Sequence, residues 1–245
     1  MQDQAISGGA DRVLYVLATL ARSDQPLSIA ALAEQTGLAT STLYRQIALL
    51  KRWGFVLEQD GLYGPGPTSV QLARGFDQAS FLIQESMDDM ARLAHASGET
   101  VGLLVAVNDQ AVCLDMVESN HPLRCSFVKG RGLPLERGAS AKALMAFMPA
   151  PRVADRMREL AAQGVDTEAL TRDLAAIRST GHAVTDGELD VGVWGVSVPL
   201  FRRPAQAIAA LTLMAPSTRA ADRTDSLIQL TVAAAQRISA RLQLH

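Results

Sequence analysis

Apolar positions along the first sixty residues recur at helical spacing three times and then switch to alternation. Val13, Leu14, Val16, Leu17 and Leu20 place one amphipathic helix near the start of the chain. Residues 28–53 follow as two short helices joined by a tight turn. Ser28 is positioned to cap the first, over residues 29–35 with Leu32 on its apolar stripe, and Gly37 supplies the left-handed residue that stops it. The second begins near Thr40. Its Leu43, Ile47 and Leu50 fall at i, i+4 and i+7, which predicts Thr40, Ser41, Thr42, Tyr44, Arg45 and Gln46 to point outward. Residues 54–63 then read strand, Asp60-Gly61 turn, strand.

Three helices and a hairpin in this order make a winged helix-turn-helix, in which the first helix and the apolar stripe hold the second helix proud of the surface. Its N-terminal half then fits a major groove. The helix pair alone would serve equally as an αα-hairpin in any helical protein; the flanking helix and wing favour the DNA-binding reading.

Past residue 63 the period changes twice. Residues 64–68, Gly-Pro-Gly-Pro-Thr, predict a rigid exit from the first domain, since proline fixes φ and glycine allows tight bends. Helical spacing returns over 69–75 and 81–97, with Leu82, Met87, Met90 and Leu93 on one side and Gly98 as the stop. Strand-like runs at 101–107 and 111–117 flank the turn Asn108-Asp109-Gln110, and 123–128 reads as a third strand. Residues 129–135 read as a loop whose Gly130-Arg131-Gly132 is a turn rather than a nucleotide site. Helices are expected at 140–148, 152–163 and 168–179, strands at 193–198 and 207–214, and a last helix at 224–242 with Leu227, Leu230, Ala234 and Ile238 inward. The second domain is thus α+β with an antiparallel sheet.

Composition narrows the class. At 245 residues, 48% hydrophobic and 20% charged, the chain fits one large or two ordinary globular domains. The longest apolar run, 205–215, is far short of the ~18–20 residues of a spanning helix, and no basic-then-apolar signal opens the chain, so no membrane and a cytoplasmic location are expected. Cys113 and Cys125 sit in apolar, strand-like surroundings that predict reduced thiols. The net charge is −2, and residues 1–70 carry five bases against six acids, so any nucleic-acid footprint is local. Arg45, Lys51 and Arg52 supply it on the second helix of the pair, with Lys51 and Arg52 placed for phosphate. So few cations per copy predict a dimer.

The order of several motifs resembles the isocitrate-lyase-regulator (IclR) family of bacterial transcription factors. They are the winged N-terminus, ETVGLLV at 99–105, LPLERGASAKALMAF at 133–147, IRSTGHAVTDGELDVGVWGVSVPLF at 177–201 and AIAALTLMAP at 207–216. The resemblance implies a GAF-like C-terminal domain that binds a small organic or aromatic acid, no cofactor, and a homodimer or homotetramer on double-stranded operator DNA. Boundaries follow at 1–67 for the DNA-binding domain, 68–98 for a linker helix plus the first helix of the second domain, and 99–245 for the effector domain. The chain departs from the family's Pro-Leu-His-Ala-Thr-Ala-Ser-Gly-Lys-Ala with Pro134-Leu135-Glu136-Arg137-Gly138-Ala139-Ser140-Ala141-Lys142-Ala143, and Gly195 stands where a cysteine is common.

By this analogy the effector site comprises the helix-opening turn Ala139-Ser140, whose free N–H groups and dipole suit a carboxylate, together with Thr185, Asp186, Gly195, Thr212 and Met214. Leu135, Leu211, Leu213 and Met214 are candidate apolar walls. Without the analogy Ser140 is an N-cap, Asp186 a turn former and Thr212 a satisfied strand residue. The alternative function is a small-molecule-binding or catalytic α+β protein whose N-terminal helices make protein contacts. Catalysis lacks a constellation: Ser140 and Lys142 are two apart on a helix, His95, His121, His182 and His245 are scattered without metal-ligand spacing, and Asp186, Glu188 and Asp190 read as a solvated turn.

Overall fold

The computed structural model describes residues 8–203 and 206–244, so His245 and the first residue of the 205–215 run lie outside the described residues. The chain divides into two compact units, the first ending at Ser80 and the second starting at Phe81.

In the first unit, α1 (Gly9–Arg22) buries Val16 and Leu20 and half-buries Val13 and Leu17. Leu14, expected inward, is 63% exposed, because it lies about 100° around the helix from Val13 and off the shared stripe. β1 (Leu27–Ser28) leads into α2 (Ile29–Thr36), where the Ser28 hydroxyl accepts the Ala31 N–H at 3.2 Å and Gly37, at φ +67°, ends the helix. α3 (Thr40–Arg52) packs Leu43, Ile47 and Leu50 on Val16, Leu20, Leu32, Val56 and Tyr63. β2 (Val56–Gln59) and β3 (Leu62–Pro65) form the wing around Asp60 and Gly61, both at positive φ, as a two-residue hairpin with a primed turn demands. β1 adds a third strand through Leu27 opposite Tyr63. Two residues are too few to show an alternating pattern.

The rigid exit expected at 64–68 is absent as a loop. Gly64 and Pro65 belong to β3, and α4 (Pro67–Ala79) starts directly after Gly66 with Pro67 in its first turn, where a missing N–H costs nothing. The Gly66 N–H donates to Phe55 O at 2.8 Å and the Thr68 hydroxyl to Trp53 O at 2.9 Å. This closeness needs glycine: a Cβ on Gly66 would stand 2.3 Å from Gly54 O. Gly66→Ala should therefore destabilise the wing by ~1–3 kcal/mol, as overpacking does, and show as faster amide exchange over residues 53–68.

The second unit is built on a six-stranded antiparallel sheet of order β6-β5-β4-β9-β8-β7. In chain order its elements are α5 (Phe81–Ser97), β4 (Thr100–Val107), β5 (Gln110–Val117), β6 (Gly132–Pro134), α6 (Ala139–Ala146), α7 (Ala150–Ala162) and α8 (Thr167–Thr180), then β7 (Ala183–Asp186), β8 (Val193–Arg203), β9 (Gln206–Pro216), the single turn α9 (Ser217–Ala220) and α10 (Thr224–Leu242). One sheet face packs α5 and α10 through Val101, Leu103, Val196, Leu211, Leu213, Met90 and Ile238. The other packs α6 and α8 through Leu104, Ala111, Cys113, Ala210, Leu144 and Leu174.

Three expectations change here. Residues 123–128 form no strand: Thr100 and Arg219 side chains hold the carbonyls of Cys125 and Leu123 at 2.6 and 2.8 Å in place of a ladder, and β6 takes the sheet edge. Cys125 consequently lies in irregular backbone rather than in a strand. Residues 183–186, where the sequence predicts no strand and only Asp186 reads as a turn former, form edge strand β7 against β8.

Candidate functional site

Two surfaces carry the candidate chemistry, one in each unit. On α3, Thr40, Ser41, Tyr44, Arg45, Lys51 and Arg52 are exposed and Thr42 is half-buried. Gln46 is not presented outward. It is only 8% exposed, because position 46 is three residues past Leu43 and four before Leu50, on the edge of the buried stripe. Lys51 is also less open than its position implied: it forms an ion pair with Glu58 of the wing, and that hydrogen bond holds its pKa above the ordinary lysine value. Arg45 and Arg52 make no ion pair among the described residues.

In the second unit a cavity of about 330 Å³ opens between the sheet and the start of α6. Ala139, Ser140, Thr185, Gly195, Thr212 and Met214 all line it. Strand alternation explains the company they keep, since Thr212 and Met214 share one face of β9 while Leu211 and Leu213 face α5 and α10. Leu211 and Leu213 are therefore core residues, not walls, and Leu135 is buried in the cluster beneath α6 without lining the cavity. The apolar walls include Leu104, Phe127, Val128, Leu133, Leu189, Val193 and Met214. Phe127 lies so close over Gly102 that a Cβ there would be 2.6 Å from its ring.

Asp186 does not line the cavity. It accepts a hydrogen bond from the Ser217 hydroxyl and, together with Thr185, Lys142, Asp173 and Glu188, borders a neighbouring groove of about 560 Å³. Asp190 lines the cavity instead, and Arg131 joins it. Neither had a local signal: Arg131 sat in a predicted loop and Asp190 in an acidic turn.

The polar inventory is small and specific. Ser140 is 3% exposed, and its hydroxyl has no partner among the described residues. Gly138 precedes α6 at φ +83° without a side-chain cap, so the first N–H groups of the helix, Ala139 and Ser140 among them, lack intrahelical acceptors. Thr212 Oγ1 shares a hydrogen bond with Ser197 Oγ at 2.7 Å. Burial first, and the Asp115 charge second, push the Cys113 thiol up to about 11, so this wall is a neutral thiol at pH 7.

The charged pair Glu136-Arg137 turns out to face two different partners. Glu136 Oε2 meets Arg156 Nη2 at 2.8 Å, and Arg137 donates to Glu188 O at 2.6 Å. Lys142 Nζ lies 2.7 Å from Asp173 and 2.8 Å from Glu188; burial lowers its pKa, but the carboxylates more than offset this and keep it above the ordinary value. A lysine so held is no base for Ser140, whose hydroxyl faces the other cavity. Among the described residues no cluster of His, Cys, Asp or Glu is placed to hold a metal ion, and no helix is long and apolar enough to cross a membrane.

Comparison with known proteins joins the two surfaces. Residues 9–61 match the IclR helix-turn-helix domain, and residues 79–240 match the bacterial transcriptional regulator IclR C-terminal domain. The chain is 27% identical over 246 residues to the HTH-type transcriptional regulator BhcR of Paracoccus denitrificans, covering 95% of this chain and 88% of BhcR. It is 30% identical over 224 residues to SauR of Cupriavidus necator, covering 87% and 88%. The crystal structure of an IclR family transcriptional regulator from Brucella abortus superposes with a TM-score of 0.84 at 20% identity, covering 98% of this chain and 94% of that one, which supports the fold. With a helix-turn-helix at one end, an effector-binding domain at the other and both family domains matched in order, the chain belongs to the IclR family of transcriptional regulators.

Proposed function

We propose that α3 enters the major groove of operator DNA with Thr40, Ser41, Thr42, Tyr44 and Arg45 toward base edges and Arg52 toward phosphate, and that a small organic or aromatic acid in the cavity controls this binding. The observation that carries the effector half is Ser140: its hydroxyl has no hydrogen-bond partner among the described residues and lines the cavity from the first turn of a helix whose leading N–H groups lack intrahelical acceptors, an arrangement suited to an acidic or polar group. Binding to operator DNA puts the protein in the cytoplasm in this reading.

Two copies act together in this reading. On α4 of the first unit Val70, Leu72 and Phe76 are 71, 59 and 48% exposed, and a 13-residue helix is marginal without packing, which favours its burial against a second copy. Two recognition helices then read two half-sites, as helix-turn-helix dimers do.

Sedimentation with and without operator DNA tests the dimer, and a strict monomer in both contradicts it. For the effector, thermal-shift screening over organic and aromatic acids identifies a ligand, and calorimetry then compares variants. Ser140→Ala should raise the ligand's Kd about 2- to 12-fold, the equivalent of one hydrogen bond of ~0.5–1.5 kcal/mol, while ligand-free operator binding stays unchanged. Equal affinities for both proteins would place the acid elsewhere.

A further inference from the structure

A glycine within a strand weakens it, and it marks a bulge, a bend or a place where another group comes close to the backbone. The six-stranded sheet holds three: Gly102 on β4, Gly132 on β6 and Gly195 on β8. Two are accounted for by the protein's own side chains. A Cβ on Gly102 would stand 2.6 Å from the Phe127 ring, and one on Gly132 would run into the Gln110 side chain. Gly195 has no such neighbour: a Cβ there would meet Leu213 O at 3.7 Å and the Ala139 Cβ at 3.8 Å, both ordinary contacts, and its φ is not positive. Nor does it mark a bulge. It pairs in regular register with Thr185 on β7 and Met214 on β9, and the shifts in β8 lie beyond Leu200. The approach of a ligand remains, and Gly195 lines the cavity.

Thr185, Gly195 and Met214 form one row across three strands, and Val193 precedes Gly195 on the same face of β8; all four line the cavity. Neighbouring strands are ~4.8 Å apart and same-face side chains ~7 Å apart along a strand, so the missing side chain leaves a notch between Thr185, Met214 and Val193. The notch opens toward Ala139, the residue before Ser140 in the first turn of α6. We infer, resting on the effector reading above, that Gly195 sets the specificity of the cavity: its notch takes the ring of an arene carboxylic acid whose carboxylate meets the Ser140 turn. The notch adjoins that turn, so the part of a ligand lying in it is the part bonded to the acidic group. A flat ring fits against a backbone that carries no Cβ. A saturated ring of the same carbon number is thicker, and a short acid leaves the notch lining without contacts. Phe127 and the Met214 thioether, both in the walls, favour an aromatic ring beyond the area it buries. The volume of about 330 Å³ is at the small end of ligand cavities, which suits a single ring.

The test is calorimetry of the full-length protein with benzoate, 4-hydroxybenzoate and 4-methylbenzoate against cyclohexanecarboxylate and propionate, alongside melting of the ligand-free variants. At least one of the three arene acids should bind about ten-fold or more tightly than both saturated acids. Gly195→Val fills the notch with an isopropyl group and should weaken that acid by about ten-fold or more, while propionate stays within about three-fold of wild type. Gly195→Ala, a smaller intrusion, should weaken the arene acid less and melt at or above the wild-type temperature, because its Cβ meets only ordinary contacts and alanine restricts the unfolded chain. A lower melting temperature for Gly195→Ala would make the glycine a requirement of the fold and overturn the inference, as would arene-acid affinities that are equal in wild type and Gly195→Val. Saturated acids that outbind every arene acid overturn the ring while leaving an acid effector in place. Binding of none of the five acids overturns the ring and the acid effector together.

Discussion

Arg45→Ala should weaken operator binding by ~1–3 kcal/mol, roughly 5- to 150-fold, and relax the preference at a single base pair. Arg45 is exposed on α3 between the buried Leu43 and Gln46 and has no ion pair among the described residues, so nothing in the free protein competes for its guanidinium. The variant keeps its fold because alanine is the best helix former and no packing is lost. Affinity is thereby separated from stability. Arg52→Ala should act differently, lowering the slope of log affinity against log salt by about 1 while leaving base preference intact. Lys51→Ala should change the slope less, since its charge already faces Glu58. Fluorescence anisotropy across a salt series on operator and scrambled duplexes reads all three, and an unchanged Arg45→Ala affinity for operator would put the reading surface elsewhere on the chain.

Elements with local stop and start chemistry were legible from the residues. Ser28 and Gly37 bracket α2, Gly98 ends α5 and Gly181 ends α8, each by a cap or a left-handed residue that acts within one turn. The periods of α5 and α10 sufficed for their full lengths because each buries one face only. Sheet positions were harder. β9 is apolar on both faces, and a strand buried on both sides has no period to say whether Leu211 or Thr212 faces the cavity. β7 is four residues long and follows a helix stop, too short a run to show a strand pattern, so Asp186 reads as a turn former. Arg131 and Asp190 meet one cavity only because the sheet brings its two ends around it. No spacing within either segment encodes that, and the Glu136-Arg137 pair was likewise settled by distant partners, Arg156 and Glu188.

The largest stability effect is expected at Asp89. It is fully buried on α5, where it accepts from Arg237 Nε at 2.7 Å and Arg241 Nη2 at 2.5 Å on α10 and pairs with Arg92 at 3.0 Å. Burial alone would raise its pKa, but the hydrogen bonds from Arg237, Arg241 and Arg92 outweigh it and hold the carboxyl below the usual range. Asp89→Asn keeps the shape and removes the charge. Breaking a buried ion pair costs ~3–5 kcal/mol, and the lower figure applies because Arg237 and Arg241 are 51 and 34% exposed and can rehydrate. A loss of about 3 kcal/mol lowers Tm by roughly 6–12 °C in a domain of this size. The sign with pH follows from the depressed folded pKa. The contribution is complete above the unfolded carboxyl pKa of about 4 and is lost as pH falls below that toward the folded value, so wild type and variant should converge in acid. Melting curves from pH 7 down to pH 3 measure the gap. A gap that stays constant over that range would mean that Asp89 stabilises the α5–α10 contact by shape and neutral hydrogen bonding rather than by its charge.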